Sequence, residues 1–471
     1  MNFNSFMLLR FEWIIALIIL LLLFFKLNDF DSKPKLFLLF INVLLLLNLI
    51  AGFIFIPESS LFTGFFRTTK LVVFEKNILN LGLLLISLAS YQWLLTNKNR
   101  IEFYILIFSS ILGIFTMLSA GHILMLYLGL EMSTIPLAAA ANFNKNQKNS
   151  SEAGIKLILS SAFSTGMMLF GISLLYGAIG NLSFEAIIAN LHPNPLTLLA
   201  FSFIISGFAF KMSVVPFHLW TADVYEGSPV AVTNYLSVIS KGSIIFVFVS
   251  VLYTIFGSLK DAWLLAISIL AMLSMTIGNL FALRQENIKR LLAFSSITQV
   301  GFVLVGIAGA SKIGMTSAIY FIIIYLFSNV ASFGVIGAIA ESTGRETLEH
   351  YKGLYKSNPF YALMLAISLF SLAGIPPTAG FFGKLFLLTS GIGSGLYLLL
   401  AIAAINLVLS LYNYFRVVKF MFIDESQEPL PAISKNFALT LVLVVCISGI
   451  LLIGFCKPMY QFVYLLGFGM K

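Results

Sequence analysis

The feature that most limits how this chain can fold is a series of long apolar blocks almost free of charge. Residues 11–25, 36–56, 101–120 and 436–455 hold hardly a charged side chain between them. Each is long enough, or nearly so, to cross about 30 Å of hydrocarbon. A backbone in lipid must satisfy its own hydrogen bonds, and these blocks lack the alternation of a strand, so they predict helices. Only 10% of the residues are charged, against roughly 25% in a soluble chain. A surface so poor in charge has the bilayer as its solvent.

The pattern predicts an all-α integral membrane protein of about fourteen helices, running from 10–27 to 436–457. The third is expected at 76–96, the seventh at 195–220, the eighth at 228–256 and the twelfth at 358–390. Arg10 before an apolar run looks like the start of a secretion signal. No small-residue cleavage site follows Lys26, however, so 11–26 is read as the first membrane helix. Trp13, Trp93, Trp220 and Trp263 fall near predicted helix ends, as an interfacial aromatic belt requires.

Cys446, Cys456 and four scattered histidines (His122, His192, His218, His350) are too few for a disulfide framework, a haem or a protein-held metal. The net charge of +9 is spread over inter-helix loops and forms no patch, which argues against nucleic acid.

Lysine and arginine favour the cytoplasmic loops of membrane proteins. With both termini on the outer side, seventeen of the 28 basic residues fall on cytoplasmic loops and eight on outer ones. That tally includes Lys76, Lys435 and Lys471. Three lysines remain, Lys211, Lys241 and Lys384, all inside predicted helices. On the same accounting Glu131 is the one carboxylate placed so deeply.

A charge within a bilayer is costly and usually marks an ion or proton path. The alternative is a lysine near a helix end that reaches the headgroups, as expected for Lys156. Lys241, about thirteen residues into its helix, is too deep for that. Glu131 is expected to pair with one of the buried lysines. His218 either loads protons or is simply a polar residue at a helix mouth. Ser237, Ser240, Ser295, Ser296, Gln299, Ser328 and Asn329 could support a water chain, or tie helices together singly. Residues 342–357 read either as an interfacial helix or as a solvated loop.

Two helices should be broken. Pro216 removes a backbone donor shortly after Lys211. Pro376 and Pro377, flanked by Gly374, Gly380 and Gly383, make a continuous helix before Lys384 improbable. The breaks lie five helices apart, which suggests two repeats, 101–256 and 261–422. Five is odd, so the second would be inverted. Segments 1–100 and 436–471 flank them.

Four stretches carry a resemblance. They are Leu-Gly-Leu-Glu-Met-Ser around Glu131, Phe-Lys-Met-Ser-Val-Val-Pro-Phe-His-Leu-Trp around Lys211, Asn-Ile-Lys-Arg-Leu-Leu-Ala-Phe-Ser-Ser-Ile at 287–297, and Ser-Leu-Ala-Gly-Ile-Pro-Pro-Thr-Ala-Gly-Phe-Phe-Gly-Lys ending at Lys384. Together they resemble the antiporter-like subunits of respiratory complex I, over about residues 100–422. That superfamily also includes subunits of Mrp-type sodium/proton antiporters and membrane hydrogenases. Within it the chain looks like the subunit N type. The subunit L type has histidines in its middle helices, and 270–340 contain none. The subunit M type has glutamate where this chain has Lys384.

The resemblance implies a modulating pair of Glu131 and Lys211, a central proton relay at Lys241 and a terminal relay at Lys384. It implies no cofactor in this chain. FMN, iron–sulfur clusters and quinone would belong to partner subunits, and this chain would sit among the other membrane-arm subunits of a bacterial inner membrane. A cation/proton antiporter subunit, a hydrogenase subunit and a non-conducting scaffold remain as alternatives.

Overall fold

The computed structural model describes residues 7–27, 33–54, 58–426, 430–434 and 436–467. Lys435 and Lys471, both counted in the loop tally, lie outside them. Among the described residues, twelve helices are long and apolar enough to cross a bilayer.

Three helices precede the first expected repeat: α1 (Arg10–Leu27), α2 (Pro34–Ala51) and α3 (Lys70–Ala89). A short antiparallel hairpin, β1 (Ser59–Leu61) with β2 (Phe66–Thr68), leads into α3. Thr69 caps α3 by accepting from the Val72 amide at 3.2 Å. This start corrects the sequence expectation of a helix beginning at residue 76. Arg67 and Lys70 read as loop charges, but the cap fixes the boundary one and a half turns earlier, so Glu75 and Lys76 lie within the helix.

Next come α4 (Arg100–Leu118), α5 (Ile123–Ala141), α6 (Lys148–Ile179), α7 (Pro195–Met212) and the half-helix α8 (Leu219–Gly227). The helix α9 (Val230–Ile255) follows. It is not a uniform α-helix. Leu236–Ser240 and Val251–Ile255 are wider π-helical turns, and Lys241 follows the first directly. Such turns are uncommon and often mark functional sites.

The chain continues as α10 (Lys260–Ala282), α11 (Ile288–Ala308), α12 (Lys312–Thr343), the half-helices α13 (Pro359–Ala373) and α14 (Ala379–Gly393), α15 (Tyr397–Phe422), α16 (Phe437–Leu452) and α17 (Lys457–Leu466). The helices α11 and α12 are almost wholly buried and form the centre of the molecule.

Several features occur twice. Both α6 and α12 are 32 residues long, and each ends on a glycine in the left-handed region, Gly180 (φ 79°) and Gly344 (φ 68°). The pairs α4–α5 and α10–α11 each make a close crossing. A Cβ on Gly113 would come within 2.4 Å of the Ser133 amide, and one on Gly278 within 2.5 Å of Thr298 Oγ1. The half-helices α7 and α13 both stop at a left-handed residue, Ser213 (φ 63°) and Gly374 (φ 84°). Prolines follow both, in cis peptides Val215–Pro216 and Pro376–Pro377.

Two of the four tryptophans are not lipid-facing anchors. Trp220 and Trp263 are buried, and their indole nitrogens donate to Phe210 O at 3.2 Å and Phe256 O at 3.1 Å. A buried N–H needs such an acceptor, and each finds it at a place where a helix ends or widens. Trp13 is exposed. In the 342–357 segment Leu348, Tyr351 and Leu354 are buried against the protein, and Tyr355 stacks on Phe422 at 4.8 Å. It is therefore a packed connection with two short helical turns, Leu348–Tyr351 and Leu354–Ser357.

Candidate functional site

Lys211 sits in the last turn of α7, where the chain is about to break. Its ammonium donates to Thr134 Oγ1 of α5 at 2.5 Å and to Ser161 Oγ of α6 at 2.7 Å. Thr134 lies three residues beyond Glu131, so both belong to one side of α5. Glu131 is half-buried. Among the described residues no ion pair joins the two, because Lys211 is held by hydroxyls instead.

Lys241 is buried in α9. It donates to Ser296 Oγ of α11 at 2.7 Å, and its nitrogen lies 5.6 Å from the centre of the Tyr225 ring. The π-helical turn before it sets which face Lys241 presents to α11.

Lys384, equally buried, is held at the end of α13. Its ammonium donates to Leu372 O at 2.7 Å and to Ala373 O at 3.2 Å. The last carbonyls of a helix have no intrahelical partner and carry partial negative charge. The break therefore creates the acceptors that hold this cation. Gly374 makes room for it, since a Cβ there would lie 2.9 Å from Lys384 Cδ.

Between Lys241 and Lys384 runs a polar file on α11. Gln299 lies one turn beyond Ser296, with Nε2 donating to Leu372 O at 2.9 Å and to the Tyr414 hydroxyl at 2.8 Å. Tyr414 also hydrogen-bonds Ser295. Lys241, Ser296, Gln299, the Leu372 carbonyl and Lys384 thus follow one another across the second half of the molecule. Ser328 and Ser332 instead bond Ser371 and Ser368, both at 2.8 Å, and tie α12 to α13. Ser237 Oγ donates to its own helix at Asn234 O, 2.9 Å away, and Asn329 Nδ2 to Tyr325 O at 3.0 Å.

His218 opens α8 and is buried, its ring stacked 6.4 Å from that of Phe281. Neither ring nitrogen has a protein partner. Just beyond it, an ionic network anchors α8. Asp223 accepts from Lys156 at 2.5 Å and from Arg290 at 2.7 Å, Arg290 also reaches Glu226 at 2.7 Å, and Lys156 reaches Glu152 at 2.6 Å. Lys156 is thus near the surface but committed to two carboxylates. The network joins α6, α8 and α11.

Beside it opens a cavity of about 400 Å³, lined by Ser228, Asn234, Lys289, Glu341 and Glu346 among others. Lys289 pairs with Glu346 at 2.8 Å on its wall. The Asn234 Oδ1 and the Ser228 hydroxyl of its lining residues, and the Tyr225 hydroxyl, are buried without protein partners. Tyr225 is the residue whose ring lies beside Lys241.

Sequence reasoning missed a second charged cluster. Lys76, in α3, pairs with Glu12 of α1 and donates to Ser119 Oγ at 2.7 Å. Glu12, Glu75 and Lys76 are all buried, which corrects the expectation that Glu131 is the sole deep carboxylate. Glu12 was legible, since it stands two residues into the first apolar helix. Glu75 was hidden by the misplaced start of α3. The tyrosines at 225 and 414 carry no sequence signal that separates them from packing residues.

A helical bundle with two interrupted helices and a lysine beside each break has the architecture of the antiporter-like membrane subunits. Comparison with known proteins agrees. Residues 120–410 match the family described as NADH:quinone oxidoreductase/Mrp antiporter, transmembrane. NADH-quinone oxidoreductase subunit N of Phocaeicola vulgatus is 43% identical over 423 residues, covering 89% of each chain. Subunit N of Azobacteroides pseudotrichonymphae is 41% identical over 478 residues, covering all of this chain and 99% of that one. A chain of respiratory complex I from Thermus thermophilus, solved with bound aureothin, superposes with a TM-score of 0.79 at 26% identity, covering 94% of this chain and 96% of that one. The chain belongs to the NADH-quinone oxidoreductase subunit N family, within the wider NADH:quinone oxidoreductase/Mrp antiporter group.

Proposed function

We propose that this chain is a proton-translocating membrane-arm subunit of an NADH-quinone oxidoreductase, in which Glu131, Lys211, Lys241 and Lys384 form the relay. The observation that carries the reading is the polar file from Lys241 through Ser296 and Gln299 to the Leu372 carbonyl and Lys384. Each ammonium has a neutral oxygen acceptor, so it can lose its proton without stranding a counter-charge. A lysine in such surroundings is suited to gaining and losing protons.

Lys241 is the central station, fed through Tyr225 and Asn234 from the cavity at α9. Lys211, under the field of Glu131, modulates that loading, and Lys384 is the terminal station. His218 is a further loading group at the first break. The paired 32-residue helices and paired breaks support two repeats, 101–256 and 261–422, with the second inverted. Helices 1–100 and 436–471 flank them. Redox chemistry, with FMN, iron–sulfur clusters and quinone, belongs to partner subunits. The reading places the cavity side in the cytoplasm and both termini outside, in a bacterial inner membrane.

The test is proton pumping per NADH oxidised by the purified complex in vesicles. Lys241→Met should assemble and lose coupled pumping. Full pumping by that variant would favour the non-conducting scaffold. Sodium flux without a redox partner would favour an antiporter.

A further inference from the structure

The last turns of α12 run along the cavity that opens beside the Asp223 network. Gly337, Ala340 and Glu341 line it, and Glu341 is the one charged side chain that α12 gives to its wall. Glu341 also lines a second cavity, of about 240 Å³, together with Tyr361, Ser434 and Asn436. It is exposed rather than packed. Helix stability does not account for this placement. The carbonyl end of a helix carries partial negative charge and disfavours an anion in its last turn, and α12 ends at Thr343.

Three carboxylates line the larger cavity. Glu226 is paired with Arg290 at 2.7 Å and Glu346 with Lys289 at 2.8 Å. Among the described residues no ion pair reaches Glu341. The first two cannot take up a proton without weakening a pair, and Glu341 can. The wall favours protons over anions, since it sets these three carboxylates against one ammonium, that of Lys289. It also offers water a foothold. Asn234 Oδ1 and the Ser228 hydroxyl belong to buried side chains and have no protein partner. Buried polar atoms without a protein partner are commonly met by water. A volume of about 400 Å³ has room for several molecules at roughly 30 Å³ each.

We propose that Glu341 is the proton-loading carboxylate of this cavity. The proposal deepens the relay reading and rests on its placing the cavity on the cytoplasmic side. A hydronium ion of the cytoplasmic water gives one proton to the Glu341 carboxylate, leaving water and a carboxylic acid. The acid gives that proton to a water of the cavity and returns to the carboxylate. No other reactant is needed. The titratable side chains that share its surroundings are Glu226, Lys289 and Glu346 in one cavity and Tyr361 in the other. Lys289 is held by Glu346 and by Ser228 O at 3.2 Å, so its charge is already committed.

The experiment uses the whole complex in vesicles with the cavity side outward, carrying Glu341→Gln, Glu341→Asp or Lys241→Met. Coupled turnover and pumping are compared with the parent at about pH 6 and about pH 8. Glu341→Gln should assemble and be slowed roughly tenfold at the higher pH, where free protons are scarce, and much less at the lower. Glu341→Asp should restore most of the rate at the higher pH. Lys241→Met should fail at both. Parent-like rates for Glu341→Gln at both pH values, with Lys241→Met dead, overturn the loading role and leave the relay reading intact. Full pumping by both variants overturns the two together. An equal loss at the two pH values marks Glu341 as structural and also overturns the proposal. If Glu341→Gln fails to assemble, Glu341→Ala is judged by the same comparison.

Discussion

Gln299 and Lys384 share one acceptor. The main-chain oxygen of Leu372 receives Gln299 Nε2 at 2.9 Å and Lys384 Nζ at 2.7 Å. That oxygen is free only because α13 stops at Gly374. The helix break is thus the joint between the polar file on α11 and the last buried lysine.

Gln299→Leu removes a donor from this joint while keeping similar volume. Leu372 O keeps Lys384, and Tyr414 keeps Ser295, so the stability loss should stay near the 0.5–1.5 kcal/mol of about one hydrogen bond. Coupled pumping should fall more than assembly does. Thermal stability and pumping ratio, measured on the same preparation, separate the two effects. Equal pumping would place the relay elsewhere.

Gly374→Ala should be more damaging than its size suggests. At φ 84° an L-residue is strained, by about 1–2 kcal/mol. The new methyl would also press on Lys384 Cδ. A lower melting temperature together with impaired pumping is expected. Lys384→Arg retains the charge but hardly releases a proton, and should assemble with poor turnover. Normal pumping by Lys384→Arg would make this lysine structural.

Glu131 and Lys211 are expected to act as a unit through the field between them. Glu131→Gln and Lys211→Met should each slow pumping, and the double variant should be little worse than the worse single one. Interacting sites typically depart from additivity by about 0.5–3 kcal/mol. Thr134→Val, which removes one acceptor of Lys211, should reproduce part of the defect. Strictly additive rate losses in a double-mutant cycle would assign the two residues to separate steps.

The Asp223 network gives an acid limb to stability. Partial burial works against the Asp223 carboxylate, but bonds from Lys156 and Arg290 outweigh it and hold the group below its ordinary range. Its contribution is therefore complete above the unfolded value of about 3.9 and is lost as pH falls through the lower native one. Asp223→Asn should lower the melting temperature at neutral pH and flatten its fall in acid. Both partners are partly exposed, so high salt should shrink the difference. An unchanged acid profile would show that the network carries no such linkage.

The bundle was readable because charge and apolar length are properties of the chain itself. Lys211, Lys241 and Lys384 emerged because lysines within long apolar runs have few places to go. Pro216 and Pro376–Pro377 marked the breaks for a similar reason: a missing donor is written in the residue. The partners were not readable. Whether Ser296 or Ser328 meets a lysine depends on which face of a helix meets which neighbour, and only packing decides that. The start of α3 was misplaced because Arg67 and Lys70 look like loop charges, while the cap at Thr69 is a local hydrogen bond with a common residue. Glu75 and Lys76 were lost with it. Trp263 was misassigned because nearness to a helix end does not say which way an indole faces.

The widened turn at Leu236–Ser240 has a consequence for how sequences of this kind can be altered. Such a turn holds one residue more than an α-turn of the same height, so it behaves like a fixed insertion in a ruler. Deleting a single residue there would let α9 relax to a regular spiral of nearly the same height and bearing, whereas adding one would turn everything beyond it by about 100°. No side chain would change its chemistry in the lengthened helix, yet Lys241 would no longer face Ser296. The number of residues between Pro229 and Lys241 is therefore a specification in its own right, as binding on the chain as the identity of the lysine.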